Sequence, residues 1–408
     1  MSPGSTAAST LPKARKLSIA AAYFAAYLLL GLILTSIGPG SDALKAQSGS
    51  TLEQISYLVV VMSAGYIAGS IVGGRLYGRL AGNRILAAAL LGMAVLTVTI
   101  PWLGELWLMA VMFALIGLAL GIMDVGGNTL MVWLYRGDVP PYMNALHLSF
   151  GVGALIGPLV MNGIAAAAGS AARTYWLYAG LMVPVAIWLF AMPSPESPPA
   201  EVPSVGLRSA LRRHALLITL ISAFFFMHMG AELSFGAFIT PYAQDQVLYT
   251  ESMARVLNSM FWGGVVAGRL IAIPLAGRLS AGAMLKMDLA GLAVSIAVIG
   301  AWPASTTALW IGTVGLGISI ASMIPSSINY AGERMPITGQ ITALFLVGAS
   351  LGSTVLPLIV GQLYGEDEAA RPEMMVYVTA AAVAAAIVLF AVMSLHTRRR
   401  HAGAAPSS

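Results

Sequence analysis

Twelve times along this chain an almost uncharged apolar run recurs, each long enough to cross a lipid bilayer as a helix. About 20 residues of helix rise ~30 Å, the thickness of the hydrocarbon core. The runs lie near 17–38, 55–74, 84–102, 107–134, 144–168, 174–192, 215–243, 252–276, 283–303, 308–330, 338–364 and 373–395. Inside lipid every backbone group must be satisfied within its own segment, which selects helices over open strands. The alternating pattern of a membrane barrel is not what these runs show. Composition agrees: 58% of the 408 residues are hydrophobic and 9% are charged, against about a quarter charged in soluble domains. The expected class is an all-α integral membrane protein.

The first run follows Lys13, Arg15 and Lys16, as a secretion signal would, but it is longer than a signal core and eleven more runs follow. It is expected to stay as the first helix. With both chain ends in the cytoplasm, 17 of the 21 Lys and Arg fall on that side, and only Lys45, Arg173, Arg255 and Arg371 fall outside. This is the positive-inside bias. It makes the net charge of +5 a matter of topology rather than of nucleic-acid binding. The expected location is the cell (inner) membrane, with lipid as the surrounding partner. The absence of cysteine excludes disulfides and thiolate metal sites.

The most polar linker, Met192 to His214, carries several prolines and Arg208, Arg212 and Arg213. It splits the chain into an N-terminal half at 1–192, a linker at 193–214 and a C-terminal half at 215–408, with six spans in each half. The halves echo each other. GYIAGSIVGGRL (Gly65–Leu76) resembles FWGGVVAGRL (Phe261–Leu270), placing Arg75 and Arg269 194 apart. GVGALIGPL (Gly151–Leu159) resembles GASLGSTVLPL (Gly348–Leu358), placing Pro158 and Pro357 199 apart. Similar offsets indicate an internal duplication. Glycines four residues apart recur, as at Gly65, Gly69 and Gly73, Gly264 and Gly268, and Gly348 and Gly352. Such spacing lets helix backbones approach closely in lipid. Packing alone accounts for it, and the competing reading is that some of these faces slide.

Two carboxylates, Asp124 in the fourth run and Glu232 in the seventh, read as deep in apolar sequence. A charge at mid-membrane costs about 2.5–3.5 kcal/mol on insertion scales, so each is either a buried structural bond or a functional group. Asp124 and Asn128 share a helical face, as do His228 and Glu232 with Phe235 continuing it. A His228 to Glu232 proton relay is one option, and a simply hydrogen-bonded histidine is the other. The tenth run carries the stripe Ser319, Ser322, Ser326 and Asn329 beside Pro325, the first run carries Tyr23 and Tyr27, and the eighth carries Asn258 and Trp262. Mixed donors, acceptors and aromatic faces suit a neutral polyhydroxylated ligand. Interhelical hydrogen bonding is the alternative for the serine stripe. Arg75 and Arg79, at the end of the second run, set topology or a cytoplasmic gate, and Arg269 holds the matching place in the second half. No nucleotide-binding glycine loop, zinc motif or soluble catalytic domain is present. The chain is therefore not expected to be an enzyme or to carry a cofactor.

Over nearly its whole length the chain resembles the major facilitator superfamily, in the fucose permease-like group and its sodium-dependent glucose transporter-like branch. The stretches that carry the likeness are DVGGNTLMVW, MNALHLSFGVGALIGPL, GAELSFGAFITPYA, LNSMFWGGVVAGRLIAIPL and PITGQITALFLVGASLGSTVLPLIVGQL. Gly78 stands where the superfamily's cytoplasmic motif has an acid, and Tyr23 to Pro39 lacks the first-span acid of fucose permease-like chains. The resemblance implies alternating access around a cavity lined by spans 1, 4, 7 and 10. It gives Asp124 and Asn128 the coupling and sugar-binding positions of the fourth span, and Glu232 the branch's seventh-span acid.

The expected activity is secondary active transport of a glucose-like monosaccharide coupled to Na⁺ or H⁺, with a monomer as the working unit. The coupling group would be Asp124, Glu232 and His228. The sugar contacts would be Asn128, Asn258, Trp262, Ser322, Ser326, Asn329, Phe235 and Tyr27, and the cytoplasmic gate Arg75, Arg79 and Arg269. The alternative is a proton-antiporting exporter of drugs or metabolites. A sugar-binding receptor is the competitor from another class, and only a short tail follows the last run to support one.

Overall fold

The computed structural model of the chain describes residues 12–77, 79–135, 139–196, 207–335, 339–365 and 370–402. Twelve helical spans are long and apolar enough to cross a membrane, and no strand occurs among the described residues. Spans 1–6 are Lys13–Leu34, Leu52–Leu76, Gly82–Trp102, Leu106–Tyr135, Pro141–Ala168 and Ala171–Ala191. Spans 7–12 are Arg212–Val247, Glu251–Ala276, Ala281–Ala301, Thr306–Gly332, Leu344–Tyr364 and Glu373–Thr397. An even number of crossings leaves both ends on one face, here the chain-end face, opposite the far face. Gly78, Arg136 and much of the expected 193–214 linker lie outside the described residues.

Local chemistry sets the helix starts. Thr51 accepts from the Gln54 amide while the Gln54 side chain accepts from the Thr51 amide, a capping box that opens span 2. Thr250, Ser280 and Ser305 cap spans 8, 9 and 10 with their hydroxyls. Span 1 stops at Leu34, short of the expected 38. Gly38, Pro39 and Gly40 cannot prolong it, and the Thr35 and Ser36 hydroxyls fold back on the Gly31 and Ile33 carbonyls. A short helix that the sequence did not suggest, Ser41–Ser48, follows on the far face.

Two apolar cores hold the molecule. One draws its buried residues from Ile19 through Leu189. The other draws almost all of its residues from Leu217 through Met393, with Leu52 and Ala154 reaching into it. The recurring glycines set the closest approaches. A Cβ on Gly65 or Gly69 of span 2 would strike the Ala114 or Leu118 carbonyl of span 4, and Gly117 and Gly121 return the contact against Met62 and Tyr66. In the second half, Gly264 and Gly268 of span 8 meet Val314 and Ile318 of span 10 in the same way. Gly31 and Gly153 pack spans 1 and 5, and Gly348 and Gly352 pack span 11 against span 7. Equivalent pairs of spans thus pack through equivalent glycines in both halves.

Replacing Gly117 by Leu is expected to destabilise the fold by at least about 3 kcal/mol, because the obstacle is backbone rather than a movable side chain. Thermal unfolding of the purified protein, with its elution profile as a fold control, checks this. A melting temperature unchanged from wild type would contradict it.

Candidate functional site

In the first half the site is built on spans 1, 2 and 4. The Tyr27 hydroxyl donates to the Asp124 carboxylate at 2.9 Å, and the Tyr66 hydroxyl donates to its other oxygen at 2.6 Å. The Asn128 amide reaches the Tyr27 hydroxyl at 2.8 Å, the Asp124 backbone carbonyl at 2.9 Å and the Asp124 carboxylate at 3.2 Å. Gly127 leaves room for the Tyr27 ring, whose edge faces His147 of span 5 at a centroid distance of 6.0 Å. Two bonds to a carboxylate, each contributing about 1.5–3 kcal/mol, are enough to offset its insertion cost of about 2.5–3.5 kcal/mol. Asp124 is therefore tolerated as a satisfied group.

Glu232 is not held in this way. It is buried, with its nearest described partner the His228 Nε2 one turn away at 3.5 Å, longer than the 2.7–3.2 Å of a good hydrogen bond. The Arg269 guanidinium of span 8 is close enough for its charge to be felt at Glu232, His228 and His147, and it donates to the His147 backbone carbonyl at 2.9 Å. That bond joins the two halves. Asn258 of span 8 donates to the Gly236 carbonyl at 2.6 Å and the Thr240 hydroxyl at 3.3 Å. Five buried polar atoms of spans 7 and 8 have no hydrogen-bond partner among the described residues: His228 Nδ1, Ser234 Oγ, Asn258 Oδ1, Ser259 Oγ and Trp262 Nε1. The Trp262 ring meets Phe150 of span 5 edge-on at 6.5 Å, across the junction of the halves. Phe235 is fully buried against Phe261 with ring centroids 5.1 Å apart, inside the core of its own half.

The serine stripe of span 10 does not present one face to this junction. The Ser322 hydroxyl bonds Asp288 of span 9 at 2.5 Å, and Ser326 lies 4.0 Å from the Met284 sulfur, also on span 9. Asn329 is exposed near the chain-end face. Span 10 breaks between Ile320 and Met323. The cause is Pro325, which has no N–H for the Ala321 carbonyl four residues back. Ser319, ahead of the break, already packs on Gly291 of span 9, so the stripe faces span 9 on both sides of the break.

Asp288 is, beside Glu232, a second fully buried carboxylate among the described residues, and sequence reading passed over it. It lies near the start of its apolar run and two residues after Lys286, so it reads as a boundary charge. Tyr66 and His147 were also missed. Their only signal was a polar ring inside a glycine-spaced stretch, GYIAG, and beside a serine, HLS. Arg75 and Arg79 are exposed at the chain-end face.

At the far face the halves are tied together. Asn162 bonds Ser252 at 2.9 Å, Gln244 bonds Asp42 at 2.8 Å and Gln362 bonds Tyr57 at 3.0 Å. Buried Arg255 donates to the Pro39 carbonyl at 3.0 Å and pairs with Glu251. A Cβ on Gly38 would lie 2.6 Å from the Ala237 carbonyl, and Gly361 abuts Ser56. The turn after span 1 therefore touches span 7, and span 2 touches span 11, where glycine permits it.

A twelve-span bundle with buried polar groups in its interior fits the architecture of a secondary transporter. The model for the Major Facilitator Superfamily matches residues 19–357, and the chain belongs to that superfamily of membrane transporters. It is similar to the sodium-dependent glucose transporter 1 of Danio rerio, 29% identical over 92% of this chain and 69% of the relative. The protein of the same name in Homo sapiens is 29% identical over 84% of this chain and 73% of the relative. The major facilitator superfamily domain-containing protein 4A of Homo sapiens is 23% identical over 86% and 87%. Among solved structures, a bacterial homologue of the lysosomal transporter Spinster, in an inward-facing and unoccupied conformation, aligns with a TM-score of 0.72. It is 13% identical, over 95% of this chain and 98% of that one. The nucleoside transporter NupG aligns with a TM-score of 0.68 and 13% identity over 93% and 98%. These likenesses show the fold.

Proposed function

We propose that the chain is a secondary active transporter of a glucose-like monosaccharide, coupled to Na⁺ or H⁺, in the cell membrane with both ends in the cytoplasm. The observation that carries the substrate class is a set of three among the five unpartnered buried atoms of spans 7 and 8: Trp262 Nε1, Asn258 Oδ1 and His228 Nδ1. They offer a donor, an acceptor and a group able to be either, beside an indole face. A ring bearing hydroxyl groups satisfies such a set without needing a charge. The names of the glucose-transporting relatives support the same reading. From the first half, Asn128 and Tyr27 supply further polar contact.

Glu232 is the proposed coupling group, because among the acids of spans 4 and 7 it is the one whose burial is least offset. A cation or proton on its carboxylate lowers the cost of closing the cavity around it. Asp124 orients Tyr27 and Asn128 and shares the coupling role only if it exchanges its tyrosine donors. His228 sits at 3.5 Å from Glu232, where a shared proton would stabilise the pair. Arg269, through the His147 carbonyl, ties the halves in the state observed, with Arg75 and Arg79 at the cytoplasmic mouth. With the Lys and Arg bias placing the chain ends inside, the tied far face is external, and the observed state is sealed against the outside.

The test is uptake of radiolabelled glucose into proteoliposomes under an imposed Na⁺ or pH gradient, for wild type and Trp262→Phe. Phenylalanine keeps an aromatic wall but loses the N–H, which should raise KM about tenfold with little change in maximal rate. Unchanged KM would remove Trp262 from the sugar site. Absence of glucose uptake under both gradients would overturn the substrate assignment.

A further inference from the structure

The break in span 10 falls opposite Asp288, and none of the roles proposed above uses either feature. Asp288 is 4% exposed, lies 7 residues inside span 9, and bonds the Ser322 hydroxyl at 2.5 Å. Among the described residues no Lys, Arg or His is paired with it by the ion-pair contacts observed. Lys286, two residues away, is exposed on another face of the helix. The first piece of span 10, Thr306–Ile320, ends at the same level. Its last carbonyls lack intrahelical donors and carry the negative end of the helix dipole. Pro325 additionally leaves the Ala321 carbonyl without its donor. A buried carboxylate next to a negative helix end, with no cation beside it, is an unbalanced charge in a low-dielectric setting.

We propose that Asp288, Ser322 and the carbonyls released at the break form a binding site for a small monovalent cation such as Na⁺. Every available donor is oxygen, which selects a hard cation. One carboxylate balances one positive charge, and among the described residues no group of three acids or histidines gathers that would favour a higher charge. Discontinuous helices supply cation ligands in other transporters through the same released carbonyls. The Ser322 hydroxyl, while donating to Asp288, keeps lone pairs free for the ion. A cavity of about 600 Å³ is lined by Met284, Ser326, Asn329 and Glu333. Met284 and Ser326 each lie one helical turn from Asp288 and Ser322, which do not line it themselves. Occupancy of the proposed site would hold the two pieces of span 10 in register.

The site is separate from Glu232 and does not depend on the sugar carried, so its test needs no transport. Equilibrium binding of ²²Na⁺ to the purified full chain is measured in a Glu232→Gln background, with choline replacing Na⁺ at constant ionic strength. The expected result is saturable binding that Asp288→Asn weakens more than tenfold and Ser322→Ala weakens several-fold. If Asp288→Asn elutes as aggregate, Ser322→Ala, which keeps the carboxylate, decides alone. Equal binding in the parent and the variants, or no Na⁺-specific binding in the parent, overturns the site. So does binding that follows pH alone, because Asp288 would then hold a proton instead. Failure of glucose uptake would touch the proposed function and leave this result standing.

Discussion

Glu232→Gln is expected to abolish accumulation of sugar against its gradient while leaving exchange of sugar across the membrane within a few-fold of wild type. The reason is the cost of closing a cavity over a bare carboxylate. That cost, about 2.5–3.5 kcal/mol, favours closure of the cation-loaded or protonated form by roughly 100-fold at 1.4 kcal/mol per decade. Glutamine is neutral in every state, so the penalty vanishes and the gradient loses its hold on the conformational change. Exchange needs no net movement of the coupling ion and survives. Concentrative uptake and counterflow in the same proteoliposomes separate the two. Wild-type accumulation by the variant would make Glu232 structural, held by His228 and the nearby Arg269 charge, and would pass the coupling role to Asp124.

Gly38→Val is expected to hold the far face open and reduce transport at least tenfold. A Cβ at this position would lie 2.6 Å from the Ala237 carbonyl and 2.9 Å from its Cα. Both are backbone atoms of span 7, which no rotamer can move aside. The turn after span 1 must separate from span 7, and the ties from Arg255 to the Pro39 carbonyl and from Gln244 to Asp42 separate with it. The sealed state then becomes the unfavourable one. A ligand or mutation that costs one state about 3 kcal/mol shifts the balance of two states by roughly 100-fold. The chain has no cysteine, so a single Ser56→Cys thiol, placed where span 11 abuts span 2, reports the opening. A membrane-impermeant thiol reagent should modify it more than tenfold faster when Gly38 is Val. Equal rates would mean that the seal tolerates the added side chain.

The exporter reading meets the same geometry on poorer terms. A drug cation needs few hydrogen-bonding groups beside its counter-charge, whereas spans 7 and 8 carry, besides Glu232, several unpartnered neutral donors and acceptors.

The sequence by itself determined the twelve spans, because lipid demands about 20 apolar residues per crossing and the chain has no other way to satisfy its backbone. Its glycines at matching offsets reappear as matching helix contacts in spans 2 and 4 and in spans 8 and 10. Asp124 and Glu232 stood out as unaffordable charges. Only the tertiary structure decided what those charges meet. Tyr66 and Tyr27 come to Asp124 from 58 and 97 residues away, and a helical period says which residues share a face without saying what that face touches. Ser319, Ser322 and Ser326 face span 9 instead of the expected sugar cavity, because the period fixes which residues share a face and not which neighbour that face meets. Asp288 was hidden for a different reason. A carboxylate near the start of an apolar run looks like a loop residue until its neighbours in space bury it.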